Sequence, residues 1–135
     1  MYTDKVIIVT GGSSGMGKFM AKKFAEEGAQ VIITGRDTER LEEARKEIGD
    51  RAHTYQMDVR NIENVQGMVE FADEKFGKID GLVNNAAGNF LVHAEELSPN
   101  GWKAVIDIVL NGTFYCTSAV GNYWIKKGQK GAILN

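Results

Sequence analysis

Residues 5–18, KVIIVTGGSSGMGK, constrain the fold more tightly than any other stretch. Val6, Ile7, Ile8 and Val9 form an apolar run rich in β-branched residues, the pattern of a strand buried on both faces of a parallel sheet. Thr10, Gly11 and Gly12 end it. Gly15, Met16, Gly17 and Lys18 then open a helical pattern, with Phe19, Met20 and Phe24 as its expected apolar positions. A strand, a glycine-rich turn and a helix start together make an anion site. The helix N-terminus offers free N–H groups and a partial positive charge, and glycine lets the backbone approach a phosphate closely. Gly11, Gly15 and Gly17 follow a G-x-x-x-G-x-G spacing, with Ser13 and Ser14 between them. After a strand and before a helix, that spacing points to a dinucleotide rather than to a turn that is glycine-rich for packing alone. Gly12 to Lys18 also fits G-x-x-x-x-G-K. A P-loop needs Ser or Thr next, to hold Mg²⁺, and Phe19 stands there instead.

The rest of the chain alternates. The sequence predicts strands at about 5–10, 30–34, 53–57 and 81–84, and helices at about 15–27, 38–48 and 62–76. Gly28, Gly49 and Gly77 stand where helices should stop. Asn84, Asn85, Ala86, Ala87 and Gly88 form a second turn of small and polar residues. Ser98 is an expected N-cap and Pro99 a first helical residue, opening a long helix that reaches toward Lys127. Residues 132–135 begin a fifth strand. Such alternation implies an α/β Rossmann-type doubly wound parallel sheet with right-handed crossovers and strand order 3-2-1-4-5. The ligand belongs at the carboxyl ends of strands one and four, where the order reverses. The whole of 1–135 reads as one dinucleotide-binding domain, without repeat or linker.

Composition narrows the partners. A net charge of −2 argues against nucleic acid, which calls for a basic surface. The single cysteine, Cys116, excludes an internal disulfide and suggests a reducing compartment. No leader is visible and no apolar run approaches the ~20 residues of a membrane span. These features lead to the expectation of a cytoplasmic protein without membrane contact. One cysteine and two histidines also leave a metal site without support.

The end of strand two decides the nucleotide. An acid there hydrogen-bonds the 2′-hydroxyl of NAD. This chain has Thr34-Gly35-Arg36 instead, and Asp37 follows as the expected cap of the next helix. Arg36 is suited to a 2′-phosphate through charge-assisted hydrogen bonds, so NADP(H) is the expected cofactor.

Together these residues resemble the short-chain dehydrogenase/reductase family. The matching blocks are Thr10-Gly11-Gly12-Ser13-Ser14-Gly15-Met16-Gly17, Asp58-Val59 after strand three, and Asn84-Asn85-Ala86-Ala87-Gly88. The resemblance covers the whole chain. It implies that Asp58 and Val59 line the adenine pocket, and that Asn85, Ala86 and Gly88 contact the cofactor and brace the central strands. Ala86-Ala87-Gly88-Asn89-Phe90 is similar to the 2,4-dienoyl-CoA reductases of that family, which carry an inserted alanine followed by Asn-Phe. This implies that Asn89 helps hold the dienoyl thioester and serves catalysis, and that Arg60, Phe90 and Ser98 contact the acyl-CoA. Hydride would pass from NADPH to the conjugated chain, with the thioester carbonyl stabilising the dienolate.

Two departures stand out. The family carries asparagine three residues before the helix glycine, where this chain has Val109 before Gly112; Asn111 is a different position. That fits the dienoyl-CoA branch better than a branch acting on ketoacyl thioesters or sugar alcohols. The family's later catalytic residues lie after strand five, and this sequence stops at Asn135, so it reads as a truncated form or a fragment. Tyr2, Tyr55, Tyr115 and Tyr123 take no such role. His53 reads as structural or exposed, His93 as a loop residue, and Cys116 as a small buried hydrophobe. Trp102, Phe114, Tyr123 and Trp124 read as core or subunit contact. The resemblance implies a homo-oligomer paired through the long helix. Lys126, Lys127 and Lys130 read as a solvated face near a helix end.

Overall fold

The computed structural model describes residues 1–89 and 91–135. Strands β1 (Val6–Thr10), β2 (Gln30–Gly35), β3 (Ala52–Gln56), β4 (Gly81–Val83) and β5 (Ala132–Leu134) form one parallel sheet of order β3-β2-β1-β4-β5. The apolar run of β1 is central for a reason of register. Ile8 stands between Ile32 of β2 and Leu82 of β4, and all three are fully buried. A strand apolar at every position can be satisfied only where helices cover both faces.

Those helices are α1 (Gly15–Glu26), α2 (Thr38–Ile48) and α3 (Ile62–Phe76), followed by α4 (Pro99–Ile106) and α5 (Gly112–Lys127). A single 3-10 turn, Ala94–Glu96, precedes α4. On one face, Ala21 and Ala25 of α1 and Leu41 and Ala44 of α2 pack on Ile7, Val9, Val31 and Ile33. On the other, Val65, Met68, Val69 and Ala72 of α3 meet Cys116, Ala119 and Val120 of α5 over Ile8, Ile32 and Leu82. Trp124 Nε1 donates to the Ile79 carbonyl at 2.6 Å, which ties α5 to the segment entering β4. The π turn Asp107–Asn111 joins α4 to α5 without a break, giving one helix, Pro99–Lys127.

The predicted boundaries agree with the structure to within about a residue, and α2 and α3 match at both ends. Three expectations are corrected. The core face of α1 is made by Gly17, Ala21 and Ala25, while Phe19 is 64% exposed. Met20 and Phe24, the other two expected apolar positions, are half-buried and pack against the same core. Ile62, at the head of the expected α3 stripe, is also exposed, and Met68 fills the interior instead. Of the four aromatics read as core or subunit contact, Tyr123 and Trp124 are buried in the core and Trp102 and Phe114 are exposed. Finally, Pro99–Lys127 is long and apolar enough by length and composition to cross a membrane. Its α5 half turns Cys116, Ala119, Val120, Tyr123 and Trp124 into the core.

Candidate functional site

The chain reverses sheet direction between β1 and β4, and their carboxyl-end turns lie side by side there. Thr10, the last residue of β1, holds them together. It is buried, its Oγ1 accepts from the backbone N–H groups of Asn85 (3.1 Å) and Ala86 (3.0 Å), and it donates to the Val83 carbonyl at 3.3 Å. Asn85 answers from the other side: its Nδ2 donates to the carbonyls of Thr10 and Gly11, both at 3.1 Å. The Asn85 side chain therefore braces the two turns, which is the strand-supporting part of its expected role.

The glycines follow from this closeness. Gly11 has φ 65°, and a Cβ there would stand 2.9 Å from Ala86 Cα. A Cβ on Gly17 would press into Asn85 Nδ2 and the Gly11 carbonyl. Gly15 differs: its φ is 54° and no heavy atom lies within 4 Å of a Cβ placed there. The turn is thus packed on its inner side and open on its outer side. Ser14, the N-cap of α1, makes no side-chain cap bond, and no acid occupies the first turn. By contrast Asp37 caps α2, Asn61 caps α3 and Ser98 caps α4 through their side chains. A helix start left uncapped and free of carboxylates beside an open glycine turn suits an anionic group.

A cavity of about 660 Å³ lies over this turn, a size that ordinary ligand sites reach. Gly11, Ser13, Ser14 and Met16 line it from the first turn, and Thr34 to Asp37 with Arg40 from the end of β2. Met57 and Val59 contribute from beyond β3, Asn85, Ala86 and Ala87 from the second turn, and Ile108 from the π turn. The expected residues Gly11, Ser13, Ser14, Met16, Arg36, Val59, Asn85 and Ala86 are thereby brought together. Gly15 and Gly17 shape the turn from beside and below. Gly88 packs under Ile108, whose Cδ1 would be 2.9 Å from a Cβ there.

Other expected residues stand apart. Asp58 and Arg60 form an ion pair with an N–O distance of 2.6 Å, outside this cavity. Arg60 holds the Asp58 carboxyl below its usual range, chiefly through its side-chain hydrogen bonds. Ser98 Oγ accepts from the Gly101 N–H at 3.0 Å, a capping role. Asn89 is exposed beyond Gly88, and Phe90 lies outside the described residues. Residue-by-residue reading missed Thr10, Arg40, Met57 and Ile108. A threonine closing an otherwise apolar strand was a signal for the first, and the four-residue step from Arg36 for the second. Met57 and Ile108 carried none.

Among the described residues no group of three or more His, Cys, Asp or Glu side chains is placed to hold a metal. Cys116 is buried, and burial pushes its thiol pKa up to about 12. His53, in β3, is half-buried, its Nε2 2.8 Å from Gln30 Oε1 and its ring edge-on to Phe76.

Comparison with known proteins agrees with this geometry. A profile described as short chain dehydrogenase matches residues 5–135. The chain is 55% identical over 134 residues to a probable 2,4-dienoyl-CoA reductase of Bacillus subtilis (strain 168), covering 97% of this chain and 53% of that protein. It is 42% identical to a peroxisomal 2,4-dienoyl-CoA reductase of Arabidopsis thaliana, covering 94% and 43%. Among solved structures, a short chain dehydrogenase from Bacillus anthracis superposes with TM-score 0.96 at 62% identity, covering 98% of this chain and 56% of that one. A 3-ketoacyl-(acyl-carrier-protein) reductase from Brucella melitensis, complexed with NADH, superposes with TM-score 0.91 at 35% identity, covering 100% and 57%. The chain spans about half the length of the curated relatives it matches.

Proposed function

Because this chain belongs to the short chain dehydrogenase family, we propose that it carries the nucleotide-binding site for NADPH-dependent reduction of a 2,4-dienoyl-CoA in fatty acid metabolism. One observation carries the cofactor reading: the uncapped, acid-free start of α1 and the Arg36 guanidinium border the same cavity. The pyrophosphate would lie over Gly15 to Gly17, and the 2′-phosphate near Arg36. A bound nicotinamide supplies hydride, and a conjugated thioester accepts it because its carbonyl delocalises the charge. The substrate reading is supported by relatives named as 2,4-dienoyl-CoA reductases and by Asn89, Phe90 and Val109 in the sequence. In it, Asn89 holds the thioester, while Arg60, Phe90 and Ser98 meet the acyl-CoA. Arg60 would have to share its guanidinium between Asp58 and the substrate.

The exposed residues Trp102, Leu110, Phe114 and Ile125 on the helix 99–127 support a homo-oligomer paired there, while the net charge of −2, the single cysteine and the core-facing side of α5 support a cytoplasmic protein apart from nucleic acid and membrane. Sedimentation of the natural gene product before and after Phe114→Glu tests the pairing; an unchanged oligomer refutes this surface.

For the cofactor, Arg36→Ala should lower NADPH affinity about tenfold or more, the worth of a charge-assisted bond, and NADH affinity much less. Equal losses refute the NADP assignment. For the substrate, NADPH oxidation should follow addition of a 2,4-dienoyl-CoA to the natural gene product. Turnover only with a ketoacyl thioester or a sugar alcohol would move the protein to another branch. Binding without any turnover, in a product whose intact mass is near 14.8 kDa, would make it a nucleotide-binding protein without catalysis.

A further inference from the structure

We propose that Met16 is an oxidation site that switches nucleotide binding: a hydroperoxide converts its thioether to a sulfoxide, and the oxidised chain loses affinity for the dinucleotide. The inference rests on the dinucleotide reading above. Met16 stands in the first turn of α1, lines the nucleotide cavity and is 77% exposed. The other methionines divide by burial and place. Met57 and Met68 are 3% and 0% exposed, and Met20 is half-buried. Met1 is exposed but stands at the other end of α1, its ammonium 3.3 Å from the Glu27 carbonyl. Met57 lines the same cavity, yet its burial closes it off. The thiol of Cys116 is buried as well. An oxidant in solution therefore meets the sulfur of Met16 before any other at the nucleotide site.

The step is an oxygen transfer. The thioether sulfur attacks one peroxide oxygen, the O–O bond breaks and an S–O bond forms. Sulfur gives up two electrons, and the peroxide is reduced to an alcohol, or to water when it is hydrogen peroxide. A flexible apolar side chain becomes a polar one. Its new oxygen is a hydrogen-bond acceptor with partial negative charge. It arises beside the first-turn N–H groups of α1, where Ser14 makes no side-chain cap bond and no acid stands. Those are the donors and the field that favour a pyrophosphate there. The sulfoxide oxygen competes for the donors and repels the phosphates. A bound dinucleotide in turn covers Met16, so occupancy and oxidation oppose each other. Sulfoxide reductases reverse the change.

The test is hydrogen peroxide applied to the natural gene product with and without NADP⁺, with N-acetylmethionine in the same solution as reference and oxidation read by peptide mass. Met16 should gain an oxygen while Met57 and Met68 stay unmodified. NADP⁺ at about ten times its Kd should slow Met16 about tenfold and leave the reference unprotected. The oxidised protein, folded by thermal melt, should bind NADP⁺ about tenfold more weakly, the worth of one charge-assisted hydrogen bond. Methionine sulfoxide reductase should restore the affinity. Met16→Leu keeps nearly the same volume without the sulfur, and peroxide should leave its affinity within about twofold of wherever it starts. Met16 untouched in the native protein, or an equal loss in Met16→Leu, overturns the proposal. If the unoxidised protein binds neither NADPH nor NADH, the dinucleotide reading falls and this inference with it. If it binds them and oxidation of Met16 leaves the affinity unchanged, only the role of Met16 falls.

Discussion

Replacing Thr10 with valine tests the joint between the two turns. Valine matches threonine in shape, so packing under the turn changes little, but the hydroxyl is gone. The N–H groups of Asn85 and Ala86 then lose their acceptor, and the Val83 carbonyl loses a donor. An unsatisfied buried donor costs about 1–3 kcal/mol. The two amides are only partly buried, and the 3.3 Å bond to Val83 is long, so each term belongs at the low end. The sum is about 2–4 kcal/mol, a large part of the ~5–15 kcal/mol that holds a domain folded. With a urea slope of about 2 kcal/mol per molar, the midpoint should fall by about 1–2 M. Hydrogen exchange should show where the loss falls, with the amides of Asn85 and Ala86 deprotected well beyond those of Ile32 and Ile33. Thr10→Ser keeps the hydroxyl and should stay within about 1 kcal/mol of the parent, the cost of one buried methyl group. A valine variant as stable as the parent, or a serine variant that loses more than the valine one, would refute the hydrogen-bond account.

Three further outcomes are expected. Gly17→Ala places a methyl group against Asn85 Nδ2 and the Gly11 carbonyl; it should cost about 1–3 kcal/mol by overpacking and weaken nucleotide binding, read by titration beside a thermal melt. Cys116, with its thiol pKa raised to about 12 by burial, should resist a disulfide reagent at pH 8 in the folded protein and react at once in denaturant. Burial, with smaller contributions from Lys75 and Arg45, lowers the His53 pKa below its ordinary 6.5. The unfolded chain then binds the proton first, so this residue's contribution to stability should decline as pH falls from about 6.5 toward the folded pKa and level off below it. His53→Gln should flatten that part of a pH series of urea melts, and an unchanged slope would refute the assignment.

The sheet order, the helix boundaries and the glycine-rich turn were legible in the sequence because each is written in local terms. A run of β-branched residues marks β1, apolar spacing marks α2 and α3, and Gly28, Gly49 and Gly77 mark helix ends. Which large side chains go inside was less legible. Phe19, Ile62, Trp102 and Phe114 carry apolar character without saying whether a partner surface faces them. That depends on which way each helix turns its faces: Gly17, Ala21 and Ala25 of α1 are buried, Met20 and Phe24 pack at the margin, and Phe19 faces outward.

The site divides the same way. The sequence alone was enough to mark the glycine turn, Arg36 and the small-residue turn at Asn84–Gly88, since each is a short stretch with its own chemistry. Only the tertiary structure decided that Thr10 and Asn85, 75 residues apart, lock those turns together. It also decided that Arg40, Met57 and Ile108 close the cavity. The physical reason is that spacing along a chain determines which face a residue takes on its own element. The parallel crossovers determine which other element that face meets.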